Sequence, residues 1–386
     1  MTLAPIKVLH IHTLPVISGS GLNTWLSMRG QRDAGYTVEL ACAPGGDLVT
    51  LVEQSGMRVR PVRHFRQPLS PWHDLHALLE LRRLCRRERY TIVHTHNSKA
   101  GFLGRLAARL AGVPIIIHTV HGFAFHEREP WWRRRLFIAL ERLAARWCDQ
   151  FICISQPLIE WAVAMRIVPR DRAVKIYSGI ELAQFRQPAD AAAVRASWGW
   201  PDDALVIGEV AKLWPGKGHD TLLRAFARVR AQHPQARLVF VGEGSERPAL
   251  ERLAQRLDVA ADVRFLGFRR DVAALTHALD IAALPSLFEG MGRAVLEAMA
   301  CAKPVVASRV GGLVELIEDG VTGCLVPPND VDALTAALER LLQEPSVRVR
   351  MGQAGVSRVT QQFDAGVMSD HILAVYQAWL KRKHLL

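Results

Sequence analysis

The sequence predicts an α/β protein with two doubly wound domains of similar size that face each other across a central cleft. Its 386 residues exceed the ~250–300 residues over which one hydrophobic core usually grows. Short apolar runs alternate with longer amphipathic stretches, as expected for buried parallel strands joined by helices. A turn-rich break near the middle of the chain divides this alternation into two parts.

The first domain is predicted to span residues 1–185. A helix over 21–34 ends at Gly35 and separates the first two strands. The predicted strands of this domain are 7–12, 37–42, 92–95, 115–119 and 151–155. Right-handed helical crossovers bring the carboxyl ends of such strands to one edge of a sheet, where ligands bind.

The second domain is predicted to span residues 186–365. The segment 182–203 is rich in turn formers, among them Pro188, and is interpreted as the linker before it. The predicted strands are 205–210, 237–241, 263–266, 281–284, 304–307 and 323–326, and the predicted helices are 218–232, 246–257, 293–301 and 331–343. The final segment, 366–386, is expected to form a helix that returns towards the first domain.

The chain is basic, with 49 lysines and arginines against 37 acidic residues and a net charge of +12. Such an excess favours an anionic partner: nucleic acid, a membrane surface or a phosphorylated substrate. An arginine-rich surface without a specific partner explains part of the excess equally well. No nucleic-acid-binding motif accompanies the charge, so a basic nucleic-acid-binding protein is the weaker alternative and no nucleic-acid partner is expected.

The cysteines and the first residues predict a cytoplasmic protein. None of the six cysteines forms a C-x-x-C pair, and several lie in apolar stretches, so they are expected to be reduced and buried. Lys7, His10 and His12 interrupt the first apolar run, which is interpreted as a buried strand and not as a secretory leader. No apolar run approaches the ~20 residues of a membrane-spanning helix.

The strongest motif is the segment 285–300, which follows a predicted strand and opens a predicted helix. Seven residues separate Glu289 from Glu297 in it. Gly290 and Gly292 allow backbone N–H groups to approach a ligand, and the helix after them points its positive end towards an anion. The alternative is structural: Glu289 caps the helix and Glu297 pairs with a base.

This segment resembles the E-x7-E motif of the family 4 retaining glycosyltransferases, which use nucleotide-sugar donors and have the GT-B fold of two Rossmann-like domains. Other stretches similar to the family follow one another along nearly the whole chain: 176–181, 211–219, 241–245, 265–267, 311–315 and 320–323. The resemblance implies an α/β protein of GT-B fold. It also implies that the first domain binds the acceptor and the second domain binds the nucleotide sugar.

The resemblance implies that the E-x7-E segment binds the donor. Glu289 would contact donor-sugar hydroxyls and count among the catalytic residues, while Glu297 would hold the nucleotide ribose. The backbone of the intervening turn would contact the sugar through Gly290, Met291 and Gly292. The two glutamates are expected to bind hydroxyls and not to form an acid–base pair.

Two lysines are expected to handle the charge of the leaving group. The resemblance implies that Lys212 and Lys217 clamp the diphosphate and act as catalytic residues. Fixed cations stabilise the negative charge that builds up when a nucleoside diphosphate departs. The family usually has arginine at the first position, and Lys212 keeps its charge without the bidentate geometry. Without the surrounding pattern, both would be ordinary surface lysines.

Four histidines lie at the ends of two neighbouring predicted strands: His94, His96, His118 and His121. Histidine is a common metal ligand, but no carboxylate or cysteine completes a recognisable ligand spacing, so no metal or other cofactor is expected. His121, followed by Gly122, resembles the family's His-Gly pair. This implies that it faces the reacting sugar and is catalytic.

His94 and His96 are interpreted as residues that shape the acceptor side, with a core position as the alternative for His94. Ser98 and Lys99 follow at a loop or helix start that would meet an anionic acceptor. All four residues lie in one short stretch at the end of a predicted strand.

The loop 18–23 stands where the family has a Gly-rich loop, often Gly-Gly-x-Glu. Gly19 and Gly21 are expected to bind the donor, because glycine lets the backbone approach a ligand closely. The acidic residue of the family pattern is absent, and Asn23 lies nearby, so no specific acceptor contact is assigned.

Asp330 and Asp332 form a D-x-D pair, which is the metal-binding signature of a different glycosyltransferase fold. They stand at the start of a predicted helix and are therefore interpreted as capping or first-turn residues. A metal-independent mechanism is expected, with lysines and helix dipoles in place of Mg²⁺.

The segment 131–147 predicts an amphipathic helix with arginines beside an apolar stripe made of Trp132, Leu136, Leu140, Leu143 and Trp147. Trp, Leu and Arg in this arrangement suit a lipid interface, and a second basic stretch, 82–89, has five arginines. An anionic membrane surface is thus a candidate partner, and the inner face of the cytoplasmic membrane a candidate location. The alternative is that the stripe packs on the sheet of the first domain.

The residues and the resemblance together predict a retaining, metal-independent hexosyl- or N-acetylhexosaminyltransferase. Its donor would be a UDP-sugar, or alternatively a GDP-sugar, and its acceptor a hydroxyl of a lipid-linked or polysaccharide intermediate in cell-surface glycan biosynthesis. The UDP expectation rests on the stretch 118–125, which is similar to bacterial enzymes that build such glycans. A nucleotide-sugar epimerase or phosphorylase of the same fold is the alternative, although no general-acid constellation supports it.

Overall fold

The computed structural model describes residues 6–123, 130–187 and 190–386. The chain divides into two compact units: a first unit of Met1–Gly179 with Ala365–Leu386, and a second unit of Ile180–Asp364. Each unit has one parallel sheet whose strands are joined by helical crossovers. This confirms the predicted pair of doubly wound α/β domains.

The strands of the first unit are β1 (Lys7–Ile11), β2 (Thr37–Cys42), β3 (Arg58–Pro61), β4 (Ile92–His96), β5 (Ile115–Val120), β6 (Gln150–Cys153) and β7 (Ala173–Lys175). They form a parallel sheet in the order β3-β2-β1-β4-β5-β6-β7. The helices are α1 (Gly19–Asp33), α2 (Asp47–Gln54), α3 (Pro71–Glu88), α4 (Ser98–Ala111), α5 (Trp131–Ala144) and α6 (Gln156–Ala164). The strand order reverses between β1 and β4, and ligands of such sheets bind at the carboxyl ends beside this point.

The two edge strands of this sheet, β3 and β7, are not predicted from the sequence. β3 reads Arg-Val-Arg-Pro and β7 reads Ala-Val-Lys, and no residue of either strand is fully buried. An edge strand pairs on one side only and tolerates charged residues and proline. It therefore lacks the continuous apolar run that marks the central strands.

The strands of the second unit are β8 (Leu205–Val210), β9 (Ala236–Val241), β10 (Val263–Phe265), β11 (Ile281–Leu284), β12 (Val305–Ser308) and β13 (Gly323–Val326). They form a parallel sheet in the order β10-β9-β8-β11-β12-β13, which reverses between β8 and β11. The helices are α7 (Leu182–Arg186), α8 (Ala191–Ser197), α9 (His219–Gln232), α10 (Arg247–Arg256), α11 (Val272–His277), α12 (Arg293–Ala300), α13 (Leu313–Leu316), α14 (Val331–Gln343) and α15 (Pro345–Gln362).

The segment 182–203 belongs to the second unit and is not the open linker that its turn formers predict. It contains α7 and α8, and the carboxylate of Asp190 caps α8 by accepting a hydrogen bond from the Ala193 N–H (2.8 Å). Trp198 is buried in an apolar cluster with residues of β8 and β9. A capped helix and a buried tryptophan thus fix this segment. Its Pro188 lies outside the described residues, as do residues 124–125 of the stretch 118–125.

The last helix, α16 (Ala365–Arg382), packs against α1 and belongs to the first unit. Its fully buried side chains include four at a spacing of four residues: Met368, Ile372, Tyr376 and Leu380. The Tyr376 hydroxyl accepts a hydrogen bond from Gln31 Nε2 (3.1 Å) and lies 2.7 Å from His94 Nδ1. The end of the chain thereby completes the core of the first unit.

Two further expectations concern the state of the cysteines and the presence of membrane-spanning helices. All six cysteines are buried and unpaired, as predicted. Within the described ranges, no helix is both long and apolar enough to cross a bilayer.

Replacing Tyr376 with Phe removes one hydroxyl and keeps the ring. Gln31 and His94 then each lose a hydrogen-bond partner in a buried site, so we expect the first unit to lose ~1–3 kcal/mol of stability. Hydrogen exchange of α16 and β4 measures this loss. Tyr36→Phe is the matched control, because no hydrogen bond of the Tyr36 hydroxyl is found in the part of the chain that the structure describes. Equal losses in the two variants would contradict the role of the Tyr376 hydroxyl.

Candidate active site

Three turns of the second unit meet at the carboxyl edge of its sheet. They follow the neighbouring strands β8, β11 and β12 and comprise residues 211–218, 285–292 and 309–312. Leu287 donates its N–H to the carbonyl of Gly216 (2.8 Å), and Gly312 donates its N–H to the carbonyl of Glu289 (3.1 Å). The three turns are therefore joined by backbone hydrogen bonds.

Two glycines permit this close approach of the backbones. Gly218 (φ +79°) and Gly311 (φ +47°) both adopt left-handed conformations. A Cβ on Gly218 would lie 2.0 Å from the Pro285 carbonyl oxygen, and one on Gly311 would lie 1.9 Å from the Glu289 carbonyl oxygen. Any side chain at these positions would push the turns apart.

Glu289 lies at the centre of the polar groups on these turns. Its Oε1 accepts hydrogen bonds from Lys217 Nζ (2.5 Å) and from the Ser286 hydroxyl (2.9 Å). Gly292, which has no side chain, occupies the N-cap position of α12. The N-cap residue is thus not Glu289, and the structure brings two predicted catalytic residues, Lys217 and Glu289, together.

Glu297 lies in the second turn of α12 and pairs with Arg293, with 2.8 Å between Oε1 and Nε. This ion pair is the structural alternative that the sequence leaves open, and the sequence does not single out Arg293. Burial raises the pKa of Glu297, and the Arg293 guanidinium opposes that rise. The carboxylate is 13% exposed, so a ligand hydroxyl would share it with Arg293.

The predicted sugar-contacting turn, Gly290 to Gly292, connects β11 to α12. The Met291 side chain is buried, which leaves the backbone as the part that a ligand can contact. Gly312 packs against this turn, because the position of its Cβ would be 2.3 Å from the Gly290 carbonyl oxygen.

Lys212 is exposed, and its ammonium lies 4.7 Å from the centroid of the Trp214 ring. A buried pair that the sequence does not indicate fixes the backbone of this turn. His219 Nε2 lies 3.0 Å from the Lys212 carbonyl oxygen, and His219 Nδ1 lies 2.8 Å from Glu209 Oε2. Burial lowers the pKa of His219, but the charge of Glu209 and its hydrogen bond outweigh this effect and raise it. The pair thus supports the turn on which both predicted lysines stand.

A histidine cluster lies at the carboxyl edge of the first unit's sheet. β1 and β4 pair with His10 opposite His94, and His12 and His96 follow two residues later. These four side chains are fully buried, whereas His121, directly after β5, is partly exposed. His10 and His12 are not among the predicted site residues, although histidines at the ends of adjacent parallel strands are a signal that they lie together.

A chain of hydrogen bonds joins three of these histidines to α1. Gln31 Oε1 lies 2.7 Å from His10 Nε2, and His10 Nδ1 lies 2.9 Å from His96 Nε2. His96 Nδ1 in turn lies 3.1 Å from His121 Nε2. His96 therefore contacts the predicted catalytic histidine directly.

His10, His94 and His96 place ring nitrogens within 4.8 Å of one another, close enough for a metal ion to be considered. His94 Nδ1 contacts the Tyr376 hydroxyl and His94 Nε2 contacts the Thr119 hydroxyl, both at 2.7 Å. Every ring nitrogen of the three histidines thus has a hydrogen-bond partner, and a metal would have to replace these bonds. His94 occupies the core position that the sequence analysis gives as its alternative.

Ser98 and Lys99 open α4, and both are partly exposed. The Lys99 ammonium pairs with Asp74 Oδ1 (2.6 Å) and donates to the Pro68 carbonyl (2.6 Å). Lys99 is therefore committed to contacts within the first unit and is not the unpaired cation that an anionic acceptor would meet.

The Gly-rich loop is shorter than predicted, because α1 begins at Gly19 and not at Gly21. The Ser18 hydroxyl caps the helix by accepting a hydrogen bond from the Gly21 N–H (3.1 Å). A Cβ on Gly21 would lie 2.8 Å from the Val16 carbonyl oxygen, whereas the space beside Gly19 is open. Gly21 is thus needed for packing, and the nearby Asn23 is buried.

The D-x-D pair lies at the start of α14. Asp330 Oδ1 accepts a hydrogen bond from the Ala333 N–H (2.9 Å), and Asp332 in the first turn pairs with Arg228. This confirms the interpretation of the two residues: Asp330 caps the helix, and Asp332 lies in its first turn.

Part of the predicted apolar stripe of α5 is exposed. Trp132, Leu136 and Leu143 are 57%, 46% and 39% exposed, so the alternative that the stripe packs on the sheet is wrong for these three residues. The helix is anchored through its other side, where the buried Glu141 forms an ion pair (2.8 Å) with the fully buried Arg105 of α4.

The second basic stretch, 82–89, lies at the end of α3. Three of its arginines line an open groove of about 850 Å³: Arg83, Arg86 and Arg87. The groove is also lined by Arg60 of β3 and by Arg63, which follows that strand. Glu39 binds Arg60 (2.8 Å), so part of this charge is neutralised locally.

Comparisons with known proteins agree with the fold and with these motifs. Residues 17–184 match the model of Glycosyltransferase Family 4, and residues 190–358 match the model of Glycosyl transferases group 1. The UDP-Gal:alpha-D-GlcNAc-diphosphoundecaprenol alpha-1,3-galactosyltransferase of Escherichia coli is 29% identical over 97% of both chains. The putative glycosyltransferase EpsD of Bacillus subtilis is 30% identical over 83% of this chain and 84% of its own.

Two solved structures share the whole fold. HepE of Anabaena, in complex with UDP and glucose, matches with a TM-score of 0.86 and 24% identity over 97% of this chain and 100% of that chain. Sucrose-phosphate synthase from Thermosynechococcus elongatus matches with a TM-score of 0.85 and 23% identity over 98% and 100%. The family models and the full-length relatives bear out the resemblance seen in the motifs. This chain is therefore a glycosyltransferase of family 4, with the two Rossmann-like domains of the GT-B fold.

Proposed function

We propose that this glycosyltransferase moves a hexosyl or N-acetylhexosaminyl group from a UDP-sugar to a hydroxyl of a lipid-linked acceptor. The proposal includes retention at the anomeric carbon and independence of metal ions. The observation that supports it most is the group of Lys217, Glu289 and Glu297 on and beside the joined turns of the second unit. Carboxylates accept hydrogen bonds from sugar and ribose hydroxyls, and a lysine attracts a diphosphate.

Two similar proteins support the choice of substrates. The Escherichia coli relative is named for UDP-Gal and for a GlcNAc-diphosphoundecaprenol acceptor, and the Anabaena structure contains UDP and glucose. A UDP-sugar is therefore the first donor to test, and a GDP-sugar the second. An undecaprenyl-linked sugar is the first acceptor, which places the reaction in cell-surface glycan biosynthesis.

In the proposed reaction, the bond between the anomeric carbon and the diphosphate oxygen breaks. The acceptor hydroxyl oxygen forms a new bond to the same face of that carbon, and its proton passes to the departing diphosphate, which leaves as UDP. This step requires no enzymatic nucleophile. The two glutamates are hydrogen-bond acceptors in it and not the paired carboxylates of a glycosidase.

Lys217 and Lys212 supply positive charge for the departing diphosphate in this proposal. Lys217 lies 2.5 Å from Glu289, so an arriving diphosphate competes with that carboxylate for the ammonium. Glu289 then becomes available to sugar hydroxyls. Metal independence is supported by these lysines and by the structural roles of the D-x-D residues, since Asp330 caps α14 and Asp332 pairs with Arg228.

The first unit is proposed to contact the transferred sugar through His121, which His96 supports by a hydrogen bond, and to shape the acceptor site through Ser98. His121 is partly exposed and thus accessible to a ligand. His94 and Lys99 act within the protein, through the Tyr376 hydroxyl and Asp74, and are not assigned ligand contacts.

A donor screen tests this function. The full-length protein is mixed with UDP-galactose, UDP-glucose, UDP-N-acetylglucosamine or GDP-mannose, with membranes that contain undecaprenyl diphosphate-linked N-acetylglucosamine. We expect UDP release that depends on the acceptor and persists in EDTA, and a product with the anomeric configuration of the donor. If no nucleotide is released with any of these donors, the proposal is overturned. Nucleotide release that depends on inorganic phosphate would instead indicate a phosphorylase.

Replacing Glu297 with Ala tests the ribose contact. We expect UDP binding, measured by calorimetry, to weaken about tenfold, because one hydrogen bond to a charged group is lost. Glu297→Gln keeps an acceptor oxygen and should lose less. Glu251→Ala is the matched control, since it breaks an i,i+4 pair with Arg247 on α10, outside the three turns. Unchanged affinity in Glu297→Ala, or an equal loss in the control, contradicts the assignment.

Peripheral binding to the inner face of the cytoplasmic membrane is the second part of the proposal. α5 exposes Trp131 and Trp132 beside Arg133 and Arg135, and the Arg135 guanidinium lies 5.3 Å from the centroid of the Trp131 ring. Aromatic and basic side chains on one exposed helix suit an anionic lipid interface. A lipid-linked acceptor would be presented at that interface.

A triple variant tests the contact of α5 with lipid by placing serine at Arg133, Arg134 and Arg135. Co-sedimentation with phosphatidylglycerol vesicles should fall at least about tenfold, because each basic residue near an anionic surface contributes about 1 kcal/mol. A matched control removes the same charge by placing serine at three exposed arginines of the second unit: Arg224, Arg252 and Arg256. If both variants lose binding equally, net charge and not α5 determines it.

A further inference from the structure

The hydrogen bonds from Gln31 to His121 constrain the protonation of His121. Four side chains share one line of donors and acceptors: Gln31, His10, His96 and His121. A neutral imidazole has one N–H and one lone pair, so the role of one nitrogen fixes the role of the other. The orientation of the Gln31 amide therefore determines which nitrogen carries the proton in each histidine of this hydrogen-bonded series.

Gln31 sets the direction of this chain. Its Nε2 donates to the Tyr376 hydroxyl (3.1 Å), so its Oε1 is the atom that faces His10 Nε2 (2.7 Å). Because a carbonyl oxygen only accepts, His10 must have its proton on Nε2 and a lone pair on Nδ1.

The remaining links follow in order. His10 Nδ1 accepts, so His96 donates from Nε2 (2.9 Å) and keeps a lone pair on Nδ1. His96 Nδ1 then accepts from His121 Nε2 (3.1 Å). His121 Nδ1 is consequently left with a lone pair and no hydrogen, and no partner for it is found in residues 6–123, 130–187 and 190–386.

Burial keeps these imidazoles uncharged. It lowers the pKa of His10 to about 4 and that of His121 to about 3. Burial and then the neighbouring histidines hold the pKa of His96 well below its usual range. At neutral pH none of the three carries a second proton, so each has a single N–H and the order of donors is preserved.

We propose that Gln31, His10 and His96 are positioning residues that hold His121 as a hydrogen-bond acceptor towards the ligand. This rests on the proposed function, in which His121 contacts the transferred sugar. A bare Nδ1 accepts a hydrogen bond from a hydroxyl and offers nothing to an ether or phosphate oxygen. The chain thereby favours donor sugars with a free hydroxyl at the position that meets His121.

Nitrogen-15 NMR of the histidine rings in the full-length protein reports the tautomer directly. In the wild type we expect His121 to have its proton on Nε2. Gln31→Met removes the oxygen that sets the direction and keeps the side-chain length, so a second His121 tautomer with its proton on Nδ1 should appear. An Nδ1–H tautomer in the wild type, or a single unchanged tautomer in Gln31→Met, overturns the proposal.

A second variant covers the case in which Gln31→Met does not fold. Tyr376→Phe removes the partner of Gln31 Nε2, so the amide is free to rotate and the chain to reverse. The Nδ1–H tautomer of His121 should appear here as well. Thr119→Val is the matched control, because it removes a hydrogen bond of His94 in the same core but outside the chain. A tautomer change in that control would mean general loosening and would also overturn the proposal.

Kinetics with UDP-galactose as the donor probe give a separate readout. Gln31→Met should lower kcat/KM about tenfold, the cost of one hydrogen bond to the sugar, while the affinity for UDP alone stays unchanged. Equal loss of UDP binding contradicts a contact with the sugar. If no donor reacts with the wild type, the proposed function fails, whereas the tautomer of the free protein still decides the role of the chain.

Discussion

The approach of three backbone turns to hydrogen-bond distance, at one edge of the second sheet, is the constraint on which the donor-side residues depend. Lys217 and Glu289 stand on different turns and are 72 positions apart in the chain. They meet because Gly218 has no side chain to hold those two turns apart, while Gly311 lets the third turn pack against the backbone of Glu289. The distance between a cation and a carboxylate is thus fixed by backbone packing, with the buried pair of Glu209 and His219 supporting the first turn from beneath.

The titratable groups at the carboxyl edges of the two sheets are held in different ways. In the second unit both glutamates of the motif have an oppositely charged neighbour, Lys217 beside Glu289 and Arg293 beside Glu297. In the first unit, imidazoles surround one another, and burial keeps them neutral. Paired charges suit a ligand that arrives as an anion, because it can exchange partners with them. Neutral imidazoles suit directional hydrogen bonds, because each has one donor and one acceptor.

The central part of the fold follows from the sequence, because buried parallel strands have continuous apolar runs. Four strands have the predicted bounds: β2, β8, β11 and β13. The edge strands β3 and β7 contain charged residues and no continuous apolar run, so they are not predicted. The motif indicates Glu289 and Lys217, but it does not indicate their partners. Gln31 and Tyr376 are 345 positions apart, and no local pattern tells which distant side chains will lie together in a core.

The buried ion pair that anchors α5 determines which residues of this helix can vary in sequence and which cannot. Arg105 is fully buried and donates to the Gly101 carbonyl (2.6 Å) as well as to Glu141. Loss of either charge would leave the other buried without compensation, at a cost of about 3–5 kcal/mol. Positions 105 and 141 can therefore only be exchanged together during evolution. The exposed tryptophans are not under this constraint. The sequence of the exposed face of α5 can therefore change, and bind a different surface, while the buried ion pair that holds the helix on α4 stays the same.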